Sequence, residues 1–263
     1  MHWSVDLPCS VDQLASWRVL SVMRLAVKLF IASLPECMKR NLFGQGMLGS
    51  LVLTASSHWK RRARGIDFYT LGAAYYLDVH DDGSSVYSLR LGKTNPVLNG
   101  LFGGLYELIL DRFEKAFDCP FSFHDGLALP GFHIFGPRPG RLASFLNPIF
   151  FERGGTIHNH PTPQYLANLI GCLENDLPRY FDSVTIPLRL PAAGGGLKTW
   201  PSGVDNKKSI YRPYSVGKAV HFSGDLWHQI APYQPSSSVS KPDYRITLQC
   251  HFVHLEGSAI LFF

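Results

Sequence analysis

The chain has 263 residues, of which 46% are hydrophobic and 17% charged, with a net charge of +5 at neutral pH. That balance allows a large buried core, excludes an intrinsically disordered chain, and gives little support to a nucleic-acid partner. Aromatic residues make up 13%, and 24 glycines and 18 prolines punctuate short apolar runs, which points to a β-rich protein and not a helical bundle.

Cys9, Cys37, Cys119, Cys172 and Cys250 are odd in number, scattered, and without paired zinc spacing. They read as reduced thiols of a cytoplasmic protein. The first residues carry Asp6 and Asp12 and no basic leader, so a secretory signal is not expected, while an organellar leader stays open. Ser10 and Gln13 form a capping-box pattern, and Leu14, Trp17, Leu20, Leu25, Leu29 and Phe30 follow at near-helical spacing. The apolar run 18–34 contains Arg18, Arg24 and Lys28, which makes it a buried helix and not a membrane span.

Gly44, Gly46 and Gly49 match the letters of a dinucleotide-binding fingerprint, but that motif needs a strand before it and a helix after it. The order here reads reversed, with β-prone residues 50–54 following, so a loop is expected. Lys60, Arg61, Arg62 and Arg64 form the densest basic cluster and read as a solvated turn. Residues 68–78 and 86–91 flank His80-Asp81-Asp82-Gly83, whose Asp-Gly step predicts a β-hairpin. His80 and Asp82 are also the one literal His-x-Asp, but a polar turn lacks a walled cavity. Residues 96–117 form a second amphipathic helix, with Leu98, Leu101, Leu105, Leu108, Ile109 and Phe113 on its apolar side.

From residue 128 the pattern changes to short strands, at 131–135, 155–158, 184–190, 218–222, 226–231 and 244–253, with one helix at 163–173. Together they describe a mostly β fold with a helical buttress: a jelly roll or barrel flanked by N-terminal helices. Residues 1–127 form the support region and 128–263 the metal-binding core of one domain. Residues 235–241, with three consecutive serines, are a loop.

Residues two apart on a strand point to the same side, so His158 and His160 can enter one cavity and chelate together. His228, after the turn Ser223-Gly224-Asp225 and before Pro232, is the candidate third ligand. On the last strand Arg245, Thr247, Gln249 and His251 share one face, and Ile246, Leu248, Cys250 and Phe252 the other. If the polar face looks into the barrel, Arg245 can hold a carboxylate through two parallel hydrogen bonds and Thr247 can add a hydroxyl; if it looks outward, these are surface residues. His133 and His221 read as packing residues, and His251 and His254 as surface.

Residues 129–252 resemble the Fe(II)/2-oxoglutarate-dependent dioxygenases, whose double-stranded β-helix, a cupin-like jelly roll, carries His-x-Asp/Glu, a distal His, and Arg-x-Ser/Thr. The run 217–232 is similar to the family's Gly-x-Ala-x-x-Phe strand leading into His-x-x-x-Pro, and Gly195-Gly196-Leu197 to its glycine turn. The resemblance implies His158 as first ligand, His160 in the carboxylate's place, His228 as distal ligand, and Arg245 with Thr247 as the 2-oxoglutarate clamp. It implies Fe(II) and 2-oxoglutarate as cofactors and hydroxylation or a related oxidation, but it does not extend to a substrate. With no separate domain legible for a macromolecular partner, a small molecule is expected, and the positive charge balance favours an acidic or amino-acid-like one. Gln164 and Tyr165 are expected either to line the substrate pocket or to pack at a helix start. The serine loop lengthens the interval from His228 to Arg245, which a surface insertion accommodates. His160 is the larger departure, since it removes a negative charge and produces a set that suits zinc as well as iron. It also leaves no room for the halide that the family's halogenases admit. Two alternatives therefore stand: a catalytically inactive jelly-roll ligand-binding descendant, and a three-histidine metalloenzyme that does not use 2-oxoglutarate.

Overall fold

A computed structural model describes residues 47–63, 66–79, 86–136, 154–162, 165–191, 193–204, 208–234 and 244–263. The predicted N-terminal helix, the His80–Gly83 turn and the serine loop lie outside these residues. The elements in order are α1 (Met47–Thr54), β1 (Lys60–Ala63), β2 (Ile66–Leu71), α2 (Tyr75–Asp78), α3 (Tyr87–Phe117), β3 (Phe121–Phe123), β4 (Gly131–Phe135), α4 (Tyr165–Ile170), β5 (Asp182–Arg189), β6 (Ala193–Gly194), β7 (Leu197–Trp200), β8 (Ile210–Arg212), β9 (Val220–Phe222), β10 (Trp227–Ile230), β11 (Tyr233–Gln234), β12 (Arg245–Leu255) and β13 (Ser258–Phe262). The fold is mostly β with helices, built on an eight-stranded sheet, a three-stranded sheet β10-β7-β8, and the pair β11-β6. Among the described residues no helix is long and apolar enough to cross a membrane.

β12 organises the large sheet. β5 pairs along it from Ile246 to Phe252, while β4 pairs with Arg245–Gln249 and β13 with His251–Leu255. β4 and β13 thus follow one another along the edge of β12 that β5 leaves free. Phe263 lies at their junction, fully buried, and a Cβ placed on Gly131 would come within 2.0 Å of its ring and 2.8 Å of the Leu71 carbonyl oxygen. Glycine is therefore required by space. We expect Gly131→Ala to destabilise the protein by about 1–3 kcal/mol, the usual cost of overpacking, read as a lower urea midpoint with unchanged slope. An unchanged midpoint would show that the Phe263 ring moves aside freely.

The apolar face of β12 packs under the helices. Ile246, Leu248, Cys250 and Phe252 share one core cluster with Leu98, Phe102, Leu105, Ile109 and Phe113 of α3 and with Leu48 and Val52 of α1. Arg245, Thr247, Gln249 and His251 stand on the opposite face and are also buried. The polar face of the last strand therefore looks inward, and His251 is a core residue and not a surface one.

Several local expectations give way to tertiary packing. Residues 50–54 are helical despite their β-prone composition, because Leu48 and Val52, one turn apart, insert into the core. Gly49, expected in a loop, lies inside this helix, which begins at Met47. The predicted hairpin is instead a strand, a single helical turn, and the start of α3. α3 begins nine residues before Pro96, which sits inside it. Its first half is tied to 127–129: the Ala128 N–H donates to the Tyr87 hydroxyl at 2.7 Å, and Asn95 bonds both the Leu127 carbonyl and the Leu129 N–H. These bonds and buried Leu98 hold the helix through a residue that favours a first turn. Leu101 lies outside its buried face, at 39% exposure. Lys60, Arg61 and Arg62 of the basic cluster lie in strand β1 and not in a solvated turn, with Arg62 buried against Asp78, while Arg64 lies outside the described residues. Only a single bridge, His158 to His228, forms where strand 155–158 was expected.

Candidate metal centre

His158 and His228 are joined by a reciprocal backbone pair, His158 N–H to His228 O at 3.0 Å and His228 N–H to His158 O at 2.8 Å. The His160 N–H donates to the Gly224 carbonyl at 2.7 Å, in the turn that precedes β10. Gly224 faces the Phe181 and His160 carbonyls so closely that a Cβ would lie 2.0 Å from the first. This backbone lacing brings the sequence-distant His228 beside the His158/His160 pair. Ring centroids are 5.1 Å apart for His158 and His160, 4.3 Å for His158 and His228, and 4.6 Å for His160 and His228. One ring nitrogen of each lies within 4.8 Å of the others.

The outer nitrogens identify which atoms converge. His158 Nδ1 lies 2.9 Å from the Thr156 carbonyl and His228 Nδ1 2.9 Å from the Leu226 carbonyl, in both cases two residues upstream. A carbonyl only accepts, so each Nδ1 carries the hydrogen and each Nε2 keeps its lone pair. His160 Nδ1 is 2.6 Å from Ser183 Oγ, which is 2.9 Å from His251 Nδ1. When His160 Nδ1 donates to Ser183, the serine passes its own hydrogen to His251, and His160 Nε2 is free to join the other two.

Burial keeps these imidazoles neutral. It holds His160 well below the ordinary histidine range, with the neighbouring histidines adding to the effect, and lowers His228 to about 4. Burial lowers His158 as well, despite its bond to the Thr156 carbonyl, and brings His251 to about 3. Neutral imidazoles are the form that ligates a metal. Aromatic rings wall the group: Phe181 stacks on His160 at 5.0 Å, Phe222 lies 4.5 Å from His228, and Tyr76 lies near-parallel to His160 at 6.5 Å. Tyr76 is 38% exposed, but its hydroxyl points inward to His133 Nε2 at 2.5 Å, and desolvation there raises its phenol so that it stays protonated. His158, beside exposed Ile157, forms the rim open to solvent.

Arg245 is fully buried in the same interior. Its guanidinium lies 5.3 Å from the Phe135 ring and 5.4 Å from the Tyr214 ring, and Nε donates to the Gly195 carbonyl at 3.0 Å. Gly195 has a positive φ of 69°, which turns the glycine-rich strand connection so that this carbonyl meets the arginine. Tyr214 is buried with its ring facing the Arg245 guanidinium; burial raises its phenol, against the pull of the Arg245 charge. Thr185 donates to Gln249 Oε1 at 3.0 Å, and Gln249 Nε2 to Thr247 Oγ1 at 3.4 Å, so the Thr247 hydroxyl hydrogen is available to another acceptor. The Arg245 charge reaches His133, whose pKa burial first and Arg245 second depress. A polar interior thus runs from Arg245 through His133 and Tyr76 to the histidine trio.

Of the residues singled out by sequence, His158, His160 and His228 converge, and Arg245 and Thr247 share the interior with them. Gln164 lies outside the described residues, and Tyr165 opens α4. Ser183, Tyr76, Tyr214 and Thr185 were not anticipated. His251 was anticipated only by the alternation that groups it with Arg245.

No protein-family model and no curated protein matches the chain. Among solved structures it is similar to a Pseudomonas putida prolyl-4-hydroxylase, at 13% identity over 82% of this chain and 85% of that one, with a TM-score of 0.35. It is similar also to an oxidoreductase of the 2OG-Fe(II) oxygenase family from Burkholderia pseudomallei, at 13% identity, 78% and 77% coverage and a TM-score of 0.42. A third similar structure is IDO from Bacillus thuringiensis, at 11% identity, 97% and 100% coverage and a TM-score of 0.43.

Proposed function

We propose that the chain is an Fe(II)- and 2-oxoglutarate-dependent oxygenase with a double-stranded β-helix core, in which His158, His160 and His228 ligate the metal and Arg245 and Thr247 hold the cosubstrate. The observation that carries this reading is the convergence of three neutral imidazoles whose Nδ1 atoms are engaged elsewhere. Three nitrogen donors on one side fit a divalent transition metal and leave coordination positions for other ligands. Fe(II) and 2-oxoglutarate bound there would supply oxygen activation coupled to decarboxylation of the cosubstrate.

The protein's own residues do the rest. Thr156, Leu226 and Ser183 fix the ring orientations. Arg245, a buried cation set by the Gly195 carbonyl and the faces of Tyr214 and Phe135, offers a planar fork to the far carboxylate of a diacid, and Thr247 offers a hydroxyl. Phe181, buried and stacked on His160, keeps water from the inner side of that ring, so the substrate, a small molecule, approaches at the His158 rim.

The test is an anaerobic Fe(II) titration of metal-free protein, followed by 2-oxoglutarate, watching for a visible charge-transfer band. We expect the band in the wild type. Arg245→Ala should retain iron and weaken 2-oxoglutarate by about 2–4 kcal/mol, roughly 30- to 1000-fold, as for truncating a buried charged hydrogen-bond partner. Unchanged cosubstrate affinity would remove Arg245 from its role. Iron binding without the band favours the three-histidine enzyme that does not use 2-oxoglutarate, and no metal binding favours a non-catalytic descendant.

A further inference from the structure

A cavity of about 450 Å³ lies between β1 and the start of α3 and shares no residue with the candidate metal centre. Lys60, Arg90 and Lys93 line it together with Trp59, Val86 and Leu89, and no carboxylate does so among the described residues. Beneath it, Asp78 is shared by Arg62 at 2.6 Å, Lys60 at 2.7 Å and Arg90 at 3.6 Å. Among the described residues, three cations on one carboxylate leave a local excess of two positive charges, and Lys93 raises it to three.

The cations are preset. Arg90 Nε donates to the Gly72 carbonyl at 3.0 Å and its Nη2 to the Thr70 carbonyl at 3.3 Å, which fixes the guanidinium at the wall of the cavity. Burial, and then the charge of Arg62, pull the Arg90 pKa below its ordinary value, so a bound anion would relieve an existing repulsion. The apolar side of the cavity is unusual for a surface. Leu89 is 70% exposed and Val86 40% exposed, whereas the Trp59 indole is pinned by its bond to the Val52 carbonyl at 3.1 Å. The volume falls in the range of small-molecule sites, roughly 300–1,000 Å³.

We propose that this cavity binds a phosphate monoester with an aromatic or branched apolar body, its dianionic head toward Lys60, Arg90 and Lys93 and its body against Trp59, Leu89 and Val86. A dianion answers this excess of positive charge better than a singly charged carboxylate does, and the exposed leucine and valine give the body a reason to bind.

Calorimetric titration of the intact protein with 1-naphthyl phosphate at low ionic strength tests this. One equivalent should bind. Lys93→Glu, at an exposed helix position, should weaken binding at least tenfold, and Leu89→Ser should weaken it severalfold. Inorganic phosphate should bind more weakly than the naphthyl ester, and Arg245→Ala should leave the ester's affinity unchanged, separating this cavity from the interior arginine. Equal affinity in Lys93→Glu overturns the proposal, as does the absence of binding by the ester. Inorganic phosphate binding as tightly as the ester overturns its apolar half, and loss of binding in Arg245→Ala relocates the site and overturns it entirely.

Discussion

Replacing His228 with Ala is expected to remove Fe(II) binding while leaving a folded protein. With His228 gone, His158 and His160 are left as a chelating pair from one segment. The backbone bonds that join His158 to His228 do not depend on the imidazole, so the fold keeps its lacing. Ser183→Ala should act more mildly. It leaves all the ligands in place but removes the hydroxyl between His160 and His251, and loss of such an orienting partner typically costs 10- to 100-fold in metal affinity. His251→Ala should retain metal, because His251 approaches the trio only through Ser183 and ring packing, with centroids 5.1 Å apart for His251 and His160. Calorimetric titration of Fe(II) under anaerobic conditions separates the three. Should His251→Ala lose metal as completely as His228→Ala, the ligand set is wrong; should His228→Ala keep full affinity, there is no centre of this composition.

The grading among these variants also marks what the sequence could and could not convey. The spacing of His158 and His160, and the turn and proline around His228, are local features, and the residues they name do come together. Ser183 and Tyr214 leave no such trace, since each is a common residue whose meaning comes from a partner far along the chain. The same holds for the last strand. Its alternation is plain from Arg245 to Phe252, but β12 is buried on both faces, so its pattern cannot tell which side meets α3 and which meets the site. That choice belongs to packing between elements far apart in sequence. The helix at residues 47–54 makes the point in the other direction, because Val52 is β-prone by itself and helical because its position in the core demands it. Pro96 likewise reads as a helix start, whereas Tyr87 and Asn95, bonded to 127–129, carry the helix through it.

Asp78→Asn is expected to be among the most destabilising single substitutions in the protein. The carboxylate is fully buried and holds Arg62 through two bonds, at 2.6 and 2.8 Å, along with Lys60 and the Ala74 N–H at 3.1 Å. Asparagine keeps the shape but loses the charge, leaving Arg62, itself 3% exposed, and Arg90 without it. Removing one partner of a buried ion pair costs about 3–5 kcal/mol, far above the 0–1 kcal/mol of a surface pair. Burial alone would raise the Asp78 pKa, but hydrogen bonds from Arg62 and Lys60 more than reverse it, and the carboxyl lies below its ordinary range. Because the folded-state pKa is depressed, the stabilisation is fully present above the unfolded value of about 3.9 and is lost as pH falls through the folded one. Urea midpoints of wild type should therefore decline below about pH 4 more steeply than those of Asp78→Asn, and the two proteins should converge there. A loss of less than about 1 kcal/mol at neutral pH would mean that the cations relax into water. Beyond stability, Asp78 closes α2, a helix of four residues that also carries Tyr76 over His160. Its removal frees that turn, so in the folded fraction the variant should also hold metal less tightly than wild type, through the wall of the site and not through any ligand.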